Sequence, residues 1–112
     1  MAIIFNDSVN TSNTISYDFN FVQKSQTDTN VSIRPGAFYK FPEMETLSVS
    51  FVTTTSSSQL PIYSFSFISG DNPTNLIISA SDITWQSGGI EVLANKTYEI
   101  SILDGLGVMV CA

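Results

Sequence analysis

Apolar and polar residues alternate along most of the chain, in short runs that turn residues separate. The clearest run is residues 97–103, where Tyr98, Ile100 and Ile102 share one face and polar side chains occupy the other. Because side chains of a β-strand point to opposite faces in turn, this pattern predicts strands that each bury one face. Further strands are predicted at residues 14–22, 29–33, 37–41, 47–54, 62–69, 76–80, 82–85 and 108–110.

These runs recur at intervals of about 8–12 residues, and no stretch shows the spacing of an amphipathic helix. A chain of 112 residues fits one domain, residues 1–112, with one modest core. The pattern predicts an all-β fold of about eight strands, a single-domain antiparallel β-sandwich of jelly-roll type. The apolar run at residues 2–5 is interpreted either as a first edge strand or as a docking arm.

The last third of the chain contains the strongest turn pattern. Asp104 and Gly105 separate the run that contains Tyr98 from a second apolar run, and both residue types tolerate the positive φ of a type I′ turn. The sequence therefore predicts a structural hairpin at this point. Gly107 predicts a bulge or a longer loop just after it.

The same region resembles a known group of proteins. It combines Ile83-Thr84-Trp85, a glycine turn, the strand Ala-Asn-Lys-Thr-Tyr-Glu-Ile-Ser-Ile at residues 94–102, and Asp-Gly-Leu-Gly-Val at residues 104–108. Residues 69–110 thereby resemble the C-terminal end of small β-rich virion proteins of tailed bacteriophages, which act as tail-fibre, head-fibre or decoration modules. The resemblance implies a non-enzymatic virion protein with other virion proteins as partners, and its fibre version implies a homotrimer.

Charged residues make up 12% of the chain, about half of the usual fraction, and Ser, Thr and Asn take their place. Hydroxyl- and amide-rich surfaces suit strands better than helices. The net charge is −6, and the four basic residues are scattered. This excludes the basic patch that binding to nucleic acid or to an anionic membrane surface requires.

The first residues lack the basic region and the apolar length of a signal peptide, and no run approaches the length of a transmembrane helix. We therefore expect a soluble protein that is made in a cytoplasm, and the resemblance implies a bacterial host and incorporation into a virion. Cys111 is the single cysteine, which excludes an intramolecular disulfide. It is interpreted as a small apolar residue of the last strand.

The absence of histidine excludes Ser-His-Asp and Cys-His catalysis and histidine metal sites. Glu43 and Glu45 are the nearest carboxylate pair for glycosidase chemistry, but their Pro-flanked position favours a solvated surface. Calcium binding would require the loops of three acidic residues to meet at one site: Asp71, Asp82 and Asp104. A turn-forming role already explains each of these residues without a metal. No catalytic residue, metal site or cofactor is predicted.

Trp85 is the candidate ligand-binding residue, because an exposed tryptophan can stack on a sugar ring. Its alternation with Ile83 favours packing in the core or at a subunit boundary. Three hypotheses follow: a phage structural module, a carbohydrate-binding β-sandwich that recognises a host-surface glycan, and an enzyme, which is the weakest. Host contacts of an adhesin would lie in the loops at residues 6–13, 53–59 and 70–75.

Overall fold

The computed structural model describes residues 20–53, 62–80, 82–86 and 90–112. Within these ranges the protein contains nine β-strands and no helix. The predicted all-β class is confirmed. In chain order, the strands are β1 (Asn20–Gln23), β2 (Asn30–Ile33), β3 (Ala37–Glu43), β4 (Thr46–Phe51), β5 (Ile62–Ile68), β6 (Asn75–Ile78), β7 (Thr84–Trp85), β8 (Thr97–Leu103) and β9 (Leu106–Cys111).

The strands form two sheets, and the chain passes back and forth between them. The order is β1-β3-β5-β8-β9-β7 in a six-stranded sheet and β2-β4-β6 in a three-stranded sheet. The first six strands alternate between the sheets and run parallel to one another within each sheet. This part of the chain winds like the coils of a β-solenoid, with hydrogen-bonded strands one coil apart in sequence.

Antiparallel pairing is limited to β5 with β8 and β8 with β9, and β7 pairs with β9 in parallel. The predicted antiparallel arrangement is therefore confirmed for two of the seven strand pairs in the described residues and wrong for the other five. A jelly roll consists of antiparallel strands, so the parallel pairs also depart from that prediction. The physical reason is that alternation specifies which face of a strand is buried and carries no information about strand direction.

One hydrophobic core lies between the sheets. Phe51 of β4 packs edge-on against Tyr63 of β5 with ring centroids 4.9 Å apart, which joins the two layers. Full burial of one large apolar side chain contributes about 1.5–3 kcal/mol, so the inward faces supply the main stabilisation. Buried apolar side chains come from both sheets: Val31, Ile33, Ala37, Tyr39, Phe41, Met44, Leu47, Val49, Tyr63, Phe65, Phe67, Tyr98, Ile100 and Ile102.

The turn between β8 and β9 consists of Asp104 and Gly105, with φ values of 48° and 82°. Leu103 pairs directly with Leu106, and the register then continues without interruption through Gly107. The predicted bulge at Gly107 is therefore wrong. That glycine is explained by a close neighbour, Trp85, because a Cβ atom at this position would lie 2.6 Å from the indole ring.

Several predicted elements lie outside the described residues. These are the run at residues 2–5, the loop at residues 6–13, most of the strand at residues 14–22, the loop at residues 53–59 except Thr53, and the Gly88-Gly89 turn.

Candidate functional site

The two sheets present chemically different faces to the outside. Outward positions of the three-stranded sheet are mostly hydroxyl and amide side chains, and the Ser32 and Ser50 hydroxyls hydrogen-bond at 2.8 Å. The six-stranded sheet instead carries six of the eight large apolar side chains that are exposed in the described part of the chain. We call this surface the outer apolar face, and its exposed apolar side chains are Phe21, Ile62, Ile68, Leu103, Leu106 and Val110.

The strand register arranges this face in rows that run across the strands. At the hairpin end, Ile62 pairs with Leu103, which pairs with Leu106, so three apolar side chains form one continuous row. The second row contains Phe21, Phe38, Ser64, Ser101 and Val108. The third contains Gln23, Lys40, Ser66, Glu99 and Val110.

A shallow groove of about 340 Å³ follows the middle of the outer apolar face. Phe21 and Phe38 stack at a centroid distance of 6.3 Å along one side, and Val110 borders the other. Lys40 and Glu99 lie on either side of Ser66 within the groove. Protein contact surfaces combine exposed aromatic and aliphatic residues with a few polar groups in this way.

A second groove, of about 540 Å³, opens at the end of the core near the hairpin turn. Phe51, Tyr63 and Ile83 supply its apolar lining, and Asp82 contributes a carboxylate. The Tyr63 hydroxyl donates a 2.7 Å hydrogen bond to the carbonyl of Val52. Burial raises the pKa of Tyr63 above its ordinary value. We call this cavity the end groove, and its volume and mixed lining are typical of small-ligand pockets.

Trp85 is half-buried in the short edge strand β7. The amide of Thr84 donates to the carbonyl of Gly105 at 2.8 Å and that of Gln86 to the carbonyl of Gly107 at 2.9 Å, so β7 is fixed against β9. The indole packs on Gly107 and belongs to the margin of the core. Only part of its surface is accessible to a ligand, and it is not among the residues that line the end groove.

Glu43 and Glu45 line a polar groove of about 300 Å³ together with Gln26. The Gln26 side-chain amide donates to the carbonyl of Glu43 at 3.1 Å. The structure therefore brings the predicted carboxylate pair to one surface. In the described part of the chain, no third carboxylate, histidine or cysteine joins such a pair to form a metal-binding group.

The three candidate calcium ligands do not converge. Asp71 follows the end of β5 and Asp104 follows the end of β8, and because these strands are antiparallel the two residues lie at opposite ends of the sheet. Asp82 lies near the hairpin turn, where its carbonyl is 3.6 Å from the Cβ position of Gly105. The hypothesis of a shared site for these three residues is therefore wrong.

The loop at residues 70–75 is fixed at its ends. Thr74 is buried, its hydroxyl donates to the carbonyl of Met44 at 2.6 Å, and its amide donates to the Ser69 hydroxyl at 3.2 Å. The carbonyl of Gly70 accepts a 2.8 Å hydrogen bond from the amide of Asn95. Residues 71–73 and the side chain of Asn75 are exposed to a partner, whereas Gly70 and Thr74 are buried.

The chain matches no protein-family profile, no curated protein and no solved structure at a significant level. None of the described residues belongs to a helix that is long and apolar enough to cross a membrane. The function is therefore argued from the surfaces of this molecule. The sequence pattern placed the buried residues well but did not single out the outer apolar face, whose apolar side chains occupy strand ends and edge strands.

Proposed function

We propose that this chain is a non-enzymatic structural and interaction module of a tailed-bacteriophage particle, as a fibre or as a capsid or tail decoration. Residues 69–110, whose motifs resemble small virion proteins, support the origin. The outer apolar face supports the interaction role. In this account the core between the sheets makes a rigid scaffold, and the face attaches that scaffold to neighbouring subunits.

The outer apolar face is the observation that carries the proposal. Phe21 is 60% exposed and Val110 is 56% exposed, at opposite margins of the same groove. Isolated exposed apolar residues are common, but several on one sheet face mark a contact surface. The free energy falls when a partner covers these side chains and removes them from water. The proposed partners are other virion proteins and further copies of this chain. The fibre version of the resemblance alone implies a trimer, whereas the strand register of the outer apolar face favours a pair.

Mass spectrometry of purified particles tests the proposed role. The sample is the phage that encodes this chain, and a non-structural protein of the same phage is the control for contamination. We expect peptides of this chain in the particles at an amount comparable with known structural proteins. A chain that is abundant in the infected-cell lysate and missing from the particles would contradict the proposal.

The end groove favours a second candidate function, carbohydrate binding. It brings the aromatic rings of Phe51 and Tyr63 near the carboxylate of Asp82, the combination of stacking and hydrogen bonding that sugars require. Trp85 lies in the neighbouring strand, so its fluorescence reports on this region. Titration with bacterial-surface glycans should change the Trp85 emission if the groove binds them, and the Asp82→Asn variant should lose that change. An unchanged emission with every glycan would contradict carbohydrate binding in the end groove, and the contact role would remain as the one proposed function.

A further inference from the structure

We propose that the outer apolar face binds the same face of a second copy of this chain, in a pair whose two-fold axis runs along β5. This inference rests on the proposed function for its choice of contact surface and names the partner of that surface. It requires the face to be complementary to itself, because a two-fold contact uses the same patch on both subunits.

The sheet order supplies this self-complementarity. Strand β5 has β3 and β1 on one side and β8 and β9 on the other. Rotation by half a turn about β5 therefore sets β3 of one copy opposite β8 of the other, and β1 opposite β9. Within the second row, Phe21 of one copy then faces Val108 of the other, so an exposed aromatic ring meets an aliphatic side chain.

The charged side chains on the face are also placed symmetrically about β5. Lys40 and Glu99 pair in register with the two sides of Ser66, so they lie at equal distances from the proposed axis. Half a turn about β5 places Lys40 of each copy opposite Glu99 of the other, which gives two ion pairs in one contact. Both side chains are exposed, and neither forms an ion pair within the described residues.

Because the whole chain is acidic, the opposite charges of Lys40 and Glu99 are needed to offset repulsion between two copies. Each chain carries a net charge of −6, so two copies repel each other at long range. Lys40 and Glu99 are the only charged side chains in the three rows, and their charges cancel there. The remaining acidic neighbour, Glu43, pairs in register with Ile68 at the margin of the face. Rows without net charge that carry opposite charges in matching places allow close approach in one orientation and disfavour others.

The size of the face predicts a weak pair. Five strands spaced about 4.8 Å apart and a seven-residue β5 give a flat area of at most about 550 Å². A standard interface buries about 800 Å² on each partner. We therefore expect a pair that forms at high protein concentration and dissociates on dilution.

A charge-exchange experiment on the full chain tests the pairing. We expect Lys40→Glu and Glu99→Lys each to raise the dissociation constant roughly tenfold, because each replaces two attractive contacts with two repulsive ones. An equimolar mixture of the two variants should pair as tightly as the wild type or more tightly, because both contacts in the mixed pair are attractive again. Arg34→Glu changes the net charge as Lys40→Glu does but lies outside the face, so it should leave the wild-type mass largely unchanged.

Sedimentation velocity and native mass spectrometry give the outcomes. A mixed dimer that forms selectively over the two variant homodimers supports the proposal. A wild-type monomer at all concentrations contradicts the pairing. A trimer, or a dimer that ignores all charge changes, also contradicts it. A monomeric chain found in phage particles would overturn only the pairing, whereas a pairing chain missing from particles would overturn only the phage role.

Discussion

The indole of Trp85 packs directly over Gly107, its register partner in the β7–β9 pair. A Cβ atom on Gly107 would lie 2.6 Å from two carbon atoms of that ring, a separation that packed atoms do not adopt. Glycine at this position therefore lets the edge strand approach β9 closely. The only tryptophan of the sequence therefore packs against the β8–β9 hairpin.

Replacement of Gly107 by alanine should displace Trp85. We expect a loss of about 1–3 kcal/mol in the free energy of unfolding, the usual cost of inserting a methyl group into a packed site. The tryptophan emission should also shift to the red as the ring gains water. Gly36→Ala is the control, because Gly36 has a φ of 82° but open space around its Cβ position. It should lose some stability without changing the emission, and an unaltered emission in both variants would contradict the packing role.

The buried hydroxyl of Thr74 should stabilise the connection between β5 and β6. Thr74→Val keeps the shape of the side chain but leaves the carbonyl of Met44 without its 2.6 Å donor. We expect a cost of about 1–3 kcal/mol, the desolvation penalty of an unpaired buried polar group. Thr46→Val, at an exposed position, should change the urea midpoint little. Equal midpoints for the two variants would show that the hydrogen bond contributes nothing.

The Tyr63 hydroxyl should make stability depend on pH in the alkaline range. Burial raises the pKa of Tyr63 above 10.0, so the folded state holds the phenolic proton more tightly than the unfolded state. Its contribution is complete below pH 10 and is lost as the pH rises through the folded-state pKa. Tyr63→Phe should cost about 0.5–1.5 kcal/mol at pH 7 through the lost hydrogen bond to Val52. The difference in the free energy of unfolding between wild type and variant should shrink above pH 10. A constant difference would show that ionisation of Tyr63 does not change the stability.

The turn between β1 and β2 should weaken in acid. The amide and hydroxyl of Ser25 donate to the Asp28 carboxylate at 2.7 and 3.1 Å and lower the pKa of Asp28 below 3.8. Its contribution to stability is therefore present at neutral pH and is lost as the pH falls through that lowered pKa. Asp28→Asn should be less stable than the wild type at pH 7, and the urea midpoints of the two should converge as the pH falls below 3.8 and through the lowered pKa of Asp28. Ser25→Ala should show a smaller effect, since the amide donor remains.

The burial pattern of the fold was largely predictable from sequence, whereas the strand pairing was not. The run at residues 62–69 placed Tyr63, Phe65 and Phe67 on the buried face, as the structure has them, because alternation reports burial directly. Pairing between coils involves residues far apart, such as Gln23 with Lys40, 17 residues apart, and Ser32 with Ser50, 18 residues apart. The offset is not constant, since Phe38 pairs with Ser64, 26 residues on, and Leu47 with Leu76, 29 residues on. The sequence therefore shows no repeat of fixed period that would indicate the parallel arrangement.

Proline and glycine were the residues most easily misinterpreted. The strand predicted at residues 37–41 stops before Pro42, since proline lacks the amide hydrogen of a strand. The observed β3 continues to Glu43, with a register shift between Lys40 and Glu43 that accommodates the missing amide hydrogen. Gly107 predicted a bulge, whereas the structure explains the glycine by the Trp85 side chain that packs on it. Trp85 lies more than twenty residues away in sequence. Both cases depend on tertiary neighbours, which local patterns do not contain. The candidate contact surface was missed for the same reason, since its rows form only after five strands assemble.

Light scattering over a dilution series measures whether the outer apolar face joins two copies of this chain. Val110→Lys and Ile77→Lys form a matched pair, because Val110 is 56% exposed on that face and Ile77 is 46% exposed on the opposite sheet. We predict a wild-type mass that approaches two chains at high concentration, a monomer for Val110→Lys, and wild-type behaviour for Ile77→Lys. A wild type that stays monomeric at every concentration, or a loss of association with Ile77→Lys alone, would contradict pairing through the outer apolar face.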